Sequence, residues 1–226
     1  MVILARLSFL TNVELDDVEV EGISNLDLTD IEYGKKLDLT MKLIGFANLT
    51  NGNHIEVSVQ PTFLSKYHPL AAVNDEYNAV YVNGEAVGET MFYGPGAGSL
   101  PTATAVMSDV VAVIKNMLLG VNGKQYVKLR HNKQITPADK RVSQFYLRLH
   151  VKDELGVFAS ISKLFNQLGI SFERILQTPG KKGFADIIVV THKTSLQNFR
   201  DALTKLEELD VVDKVESYFR VEGDAQ

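Results

Sequence analysis

From Gln144 onward the chain alternates two periodicities in an order that few folds accommodate. Phe145, Leu147, Leu149 and Val151 alternate with Tyr146, Arg148 and His150, the two-residue period of a strand with one buried face. Phe158, Ile161, Leu164, Phe165 and Leu168 then recur at helical spacing and stop at Gly169. Ile170 to Gln177 reads as a second strand, Pro179-Gly180 as a turn, and Ala185 to Thr191 as a continuous β-branched strand. Thr194-Ser195 caps a helix carrying Leu196, Phe199, Leu203 and Leu206, and Val211 to Val221 closes with another strand. The order is βαββαβ, a ferredoxin-like unit over residues 144–221, with 222–226 as a tail.

The first half is patterned differently. Val2, Ile3, Leu4, Leu7 and Phe9 look like the middle of a buried helix with no capping residue before them, which suggests a missing upstream segment. Val13 to Gly22 is acidic and mixed, as a surface segment is. Thr29 and Glu32 have capping-box spacing and predict a short helix through Lys36, followed by a β-rich run from Leu39. Asn51-Gly52-Asn53 between Met41 to Leu49 and His54 to Thr62 predicts a hairpin. Strands are expected at Ala79 to Val82 and Ala86 to Phe92 around Asn83-Gly84. A glycine-rich loop, Gly94 to Ser99, precedes a helix from about Pro101 to Leu119, with Val106, Val110, Val113 and Met117 as its buried stripe and Gly120 as its stop. The expected class is α+β: a mixed or antiparallel sheet with helices over 1–120, then the βαββαβ unit. Residues 121–143 lose periodicity and are rich in Lys124, Lys128, Arg130, Lys133, Lys140 and Arg141, which reads as a solvated linker.

Composition narrows the function. The 226 residues carry 23 Lys plus Arg against 28 Asp plus Glu, a net charge of −5, which argues against a nucleic-acid surface. With no cysteine there is no disulfide, thiolate metal site or cysteine nucleophile, and a reducing compartment, the cytoplasm, is the simplest address. No apolar run approaches the roughly 18 residues of a spanning helix, and the N-terminus lacks signal-peptide form, so no membrane partner is expected.

Complete catalytic patterns are missing: no GxSxG, no HExxH, and no Gly-Lys pair at Gly34, Gly123 or Gly180 followed by Ser or Thr. His54, His68, His131, His150 and His192 are dispersed without ligand spacing, so no metal is expected. The glycine loop alone carries chemical content, because glycine amides and a helix start can approach an anion. Taken alone, the same loop reads as a tight structural turn, since Gly94-x-Gly96-x-Gly98 is not GxGxxG.

Residues 88–103, GETMFYGPGAGSLPTA, closely resemble the closing segment of the homoserine dehydrogenase catalytic domain. His68-Pro69-Leu70-Ala71 and Asn78-Ala79-Val80 resemble that family's middle, and Met1 to Leu7 resembles the helix just past its signature. The likeness covers Met1 to about Leu119. It implies an NAD(P)-binding Rossmann domain and a catalytic lysine, both expected upstream of Met1, so no catalytic residue is assigned here. It also implies that Gly96, Ala97 and Gly98 face the nicotinamide end of the cofactor in the complete enzyme, with none bound by this chain alone. Phe145 to Arg220 resembles an ACT domain, an amino-acid-sensing module whose effector lies between protomers. That likeness singles out Asp153, Gly156, Val157, Phe158 and Asn166. Read from spacing alone, Asp153 serves equally well as a helix cap and Phe158 as core.

The resemblances together imply the rear part of an enzyme that passes a hydride between NAD(P)H and aspartate semialdehyde, inactive by itself, homo-oligomeric, with threonine as feedback ligand. The competing expectations are a stand-alone amino-acid sensor and a purely structural oligomerisation piece.

Overall fold

The computed structural model describes residues 1–24, 26–50, 54–123, 129, 132, 134–180 and 183–223. Along the chain these form α1 (Val2–Phe9), β1 (Glu19–Val20), α2 (Leu28–Lys36), β2 (Leu39–Thr50), β3 (His54–Ser65), β4 (Tyr77–Gly84), β5 (Gly88–Pro95) and α3 (Ser99–Leu118). They continue with β6 (Gln134–Ile135), β7 (Val142–Lys152), α4 (Val157–Gln167), β8 (Phe172–Pro179), β9 (Phe184–Thr191), β10 (Thr194–Ser195), α5 (Leu196–Glu207) and β11 (Val212–Glu222). The fold is α+β, and β7 to β11 realise the βαββαβ order.

One sheet runs through both halves. β11, β7, β9 and β8 are antiparallel neighbours in that order, and β11 continues onto β3 in parallel through Arg220↔Thr62, Val221↔Phe63 and Glu222↔Leu64. One edge of β3 pairs along its whole length with β2, from Thr50↔His54 to Leu39↔Ser65. That register suits the expected hairpin, whose turn residues Asn51-Gly52-Asn53 lie outside the described residues. The other edge of β3 is shared by β6, β1 and β11, all parallel to it. β6 and a short 3₁₀ turn at Ala138–Lys140 fall in the stretch expected to link the halves. Of its basic residues, Lys124, Lys128, Arg130 and Lys133 lie outside the described residues.

The largest core lies between this sheet and α4 and α5. Leu147, Leu149, Val151, Ile187 and Val189 from the strands meet Ile161, Phe165, Ala202 and Leu206 from the helices. Ser195 caps α5 as expected, its Oγ accepting from Asn198 N at 3.1 Å.

The opposite face of β7 was expected in solvent and is not. Tyr146 is fully buried and Arg148 is 6% exposed, because α2 lies across them. Asp30 Oδ1 accepts from Tyr146 Oη at 2.9 Å, Arg148 Nε at 2.7 Å and Ser217 Oγ at 2.7 Å, while Arg148 Nη2 also reaches Asp27 Oδ2 at 3.1 Å. Tyr33 of α2 donates to Asp186 of β9 at 3.2 Å, and His150 meets the same carboxylate at 2.9 Å. Phe63, Tyr146, Ile188 and Phe219 complete this second core beneath α2.

Several local expectations are corrected. α2 is capped by Asp27, whose Oδ1 accepts from Thr29 N at 2.9 Å; with Leu28 already helical, the Thr29–Glu32 pair is not a capping box. The β4–β5 turn falls at residues 85–87, and Asn83-Gly84 remains in β4. α3 starts at Ser99, two residues before Pro101. Its supposed buried stripe is exposed, with Val106 at 56%, Val110 at 42%, Val113 at 49% and Met117 at 61%. Helical spacing identifies an apolar stripe but not what covers it. In α1 only Ala5 is buried, packed with Val13, Ile55 and Val57, while Ile3, Leu4 and Leu7 face outward.

Candidate functional site

The glycine loop sits at the end of the β4–β5 hairpin, where β5 hands over to α3. Gly96 N donates to the Glu76 carbonyl at 3.0 Å. A Cβ at Gly96 would lie 1.5 Å from Asn78 Nδ2, so Asn78 occupies the space any larger residue would need. Gly98 is the N-cap of α3 and, lacking a side chain, leaves the first amides of a 20-residue helix open; Gly96, Ala97 and Gly98 are all exposed. Open amides at the start of a long helix carry partial positive charge and suit an anionic group.

Asn78 also lines a cleft of about 570 Å³ between α1, β2 and β4, a feature no local motif announces. Its walls include Phe9, Leu43, Val80 and Tyr81, with the polar groups Ser8, Lys42 and Asn48 among them. Lys42 Nζ is engaged, donating to the Val73 carbonyl and to Asn74 Oδ1 at 2.8 Å. Beside the cleft, His68 Nδ1 accepts from Leu70 N at 3.1 Å and its ring packs 5.0 Å from that of Tyr81. Burial holds the His68 imidazole below its ordinary value, against the opposing pull of Glu222 and Glu89. Among the described residues, no group of three or more His, Asp or Glu could hold a metal ion, and no helix is long and apolar enough to cross a membrane.

The second candidate lies at the start of α4. Gly156 is the N-cap with φ +88°, a left-handed conformation that explains the glycine, since the space around it is open. Asp153 is not the cap: it precedes the helix, its backbone N bonded to the Gly183 carbonyl at 2.9 Å. Val157 is buried in the core, whereas Phe158 is 38% exposed, so Val157 rather than Phe158 anchors this end. Asp153, Gly156, Val157 and Phe158 are thus together. Asn166 is not with them; nine residues further along α4, it stands about 14 Å away at 1.5 Å per residue.

Comparison with known proteins follows the same division. Residues 1–111 match the family model described as homoserine dehydrogenase, and residues 145–211 match the ACT domain. The chain is 55% identical over 225 residues to the homoserine dehydrogenase of Bacillus subtilis, covering 99% of this chain and 52% of that protein. It is 37% identical over 227 residues to the enzyme of Corynebacterium glutamicum, covering 98% and 50%. Among solved structures, the homoserine dehydrogenase of Thiobacillus denitrificans superposes with a TM-score of 0.88 at 33% identity, covering 98% of this chain and 51% of that one. The chain therefore spans about half the length of the curated relatives it matches. The chain thus joins a homoserine dehydrogenase domain to an ACT domain, as in the matching half of these homoserine dehydrogenases.

Proposed function

We propose that this chain supplies the floor of the reaction site and the regulatory unit of a homoserine dehydrogenase, the complete enzyme interconverting L-homoserine and L-aspartate 4-semialdehyde with NAD(P). The observation that carries this reading is the meeting at Asn78: one side chain both lines the cleft and fills the space beside Gly96. Gly96, Ala97 and Gly98 would face the nicotinamide end of the cofactor, at a helix start whose amides are open. When bound, the nicotinamide accepts or returns the hydride. What this chain provides is position and a surface that excludes water from the cleft.

The chain by itself is read as catalytically silent. Among the described residues no parallel βαβ unit surrounds the glycine loop, and Lys42, the lysine on the cleft, is held by Val73 and Asn74 rather than free to move a proton. The effector is read as an amino acid, threonine by family habit, docking at Asp153, Gly156, Val157 and Phe158, with Asn166 reached only from another direction. The uncapped amides of α4 and the fully exposed Leu155 support a site completed by a second protomer. The bare apolar face of α3 and the exposed Phe92 and Tyr93 of β5 support a homo-oligomer. The cytoplasm suits the cysteine-free composition.

Reconstitution tests the proposal. Mixing this chain with the part of the Bacillus subtilis enzyme that it does not match should give homoserine-dependent reduction of NAD(P), lowered by threonine. If the mixture is silent while the chain still binds threonine, the stand-alone sensor is the better reading.

A further inference from the structure

Asn78 pairs with Gly94 in the β4–β5 ladder, so its side chain leaves the hairpin on the face away from Tyr77, Ala79 and Tyr93. On that other face the Tyr77 and Tyr93 rings stack, with centroids 4.9 Å apart and planes 7° from parallel. On the Asn78 face the chain folds back beyond Gly94, and Gly96 N donates to the Glu76 carbonyl at 3.0 Å. Asn78 Nδ2 reaches the same carbonyl at 3.5 Å. One acceptor therefore holds both the loop and the side chain packed against it.

This packing accounts for a glycine that backbone conformation does not. Gly98 has φ +116°, where any side chain is strained. Gly96 is not among the glycines with positive φ, so its backbone would accept alanine. What stands in the way is Asn78: a Cβ at position 96 would fall 1.5 Å from Nδ2, 2.5 Å from Cγ and 3.2 Å from Cβ. Rotating the Asn78 side chain would clear the amide, but it would give up the bond to Glu76 and leave the tight Cβ contact in place.

We propose that Asn78 is a positioning residue for the glycine loop. Its carboxamide, wedged between the Glu76 carbonyl and Gly96, fixes Gly94 to Gly98 in the form that keeps the first amides of α3 open beside the cleft. The importance of that form rests on the reading of this loop as the cofactor-facing floor. The wedge itself belongs to this chain and is measured without any cofactor.

Amide hydrogen exchange on the full chain, followed by NMR, tests it. Asn78 is exposed, so Asn78→Ala should leave the unfolding midpoint unchanged while lowering protection of the residue 96 amide about tenfold. Gly96→Ala should lower it as well. Combining the two should restore most of the protection, because the new methyl takes the place of the lost amide. Gly98→Ala, strained by its own backbone, should gain nothing from Asn78→Ala. In the mixture with the part of the Bacillus subtilis enzyme that this chain does not match, Asn78→Ala should raise KM for NAD(P) about tenfold with kcat within about twofold, and the Gly96→Ala combination should recover it. Unchanged protection in Asn78→Ala, or a double variant no better than Gly96→Ala alone, overturns the proposal whatever the mixture does. A fall in kcat with KM unchanged overturns it too. If the wild-type mixture is silent while the exchange pattern holds, the reading of the loop as a cofactor floor fails and the wedge stands.

Discussion

Asp30 lies on the short helix α2, and its carboxylate accepts from Tyr146, Arg148 and Ser217 inside the protein. Removing it leaves the Arg148 guanidinium, 8% exposed, with only the exposed Asp27 carboxylate at 3.1 Å as a charge partner. Asp30→Ala should therefore cost about 3 to 5 kcal/mol in urea unfolding, and adding Arg148→Met should return part of that, because a buried charge that has lost its buried partner is worse than no charge. A double variant less stable than Asp30→Ala alone would contradict the pairing. His68 sets a pH dependence. Its folded value is depressed, so near pH 6 the unfolded chain binds the proton more readily, and stability is lost as pH falls through and below the ordinary 6.5. His68→Asn keeps an acceptor for Leu70 N and should flatten the stability profile between about pH 7 and 5, read from unfolding midpoints across that range. An unchanged slope would place the titration elsewhere.

Elements differ in how much of them a sequence reveals. β7, α4, β8, β9, α5 and β11 were legible because period, cap and stop are all local: Gly169 ends one helix and Ser195 starts the next. The glycine loop was legible as a segment, but not the reason for Gly96, since Asn78 approaches it from the neighbouring strand. The cover on the second face of β7 was not legible, because Tyr146, Arg148 and His150 look like an outward face until α2 arrives from over a hundred positions away. α3 errs in the other direction, with core-like spacing and no buried residue. These two helices make a paired test. Phe165→Ala in α4 should cost about 3 to 5 kcal/mol, whereas Val110→Ala in α3 should stay within about 0.5 kcal/mol, both from denaturant unfolding of the same chain. A large cost at Val110 would mean that α3 is covered in solution.

Across the molecule, the parallel pairing of β3 with β11 makes the homoserine dehydrogenase region and the ACT domain share one sheet instead of hanging on a tether. Parallel contacts between such distant segments leave no trace in local sequence, which is why the halves read as separate units with a linker. α2 reinforces the union from one face and the Arg141, Arg200 and Glu19 ion pairs from the other. The strands flanking the ACT turn therefore belong to the same sheet as β2 and β3 at the cleft. What this arrangement holds among its described residues is a glycine loop, a cleft and an ACT domain, with no free lysine on the cleft and no dinucleotide-binding unit around the loop. The decisive measurement is the absorbance of reduced nicotinamide when the purified chain alone is given homoserine with NAD or NADP. No rate above the enzyme-free blank is expected, and a rate that saturates with homoserine would contradict the assignment of the chemistry to residues outside this chain.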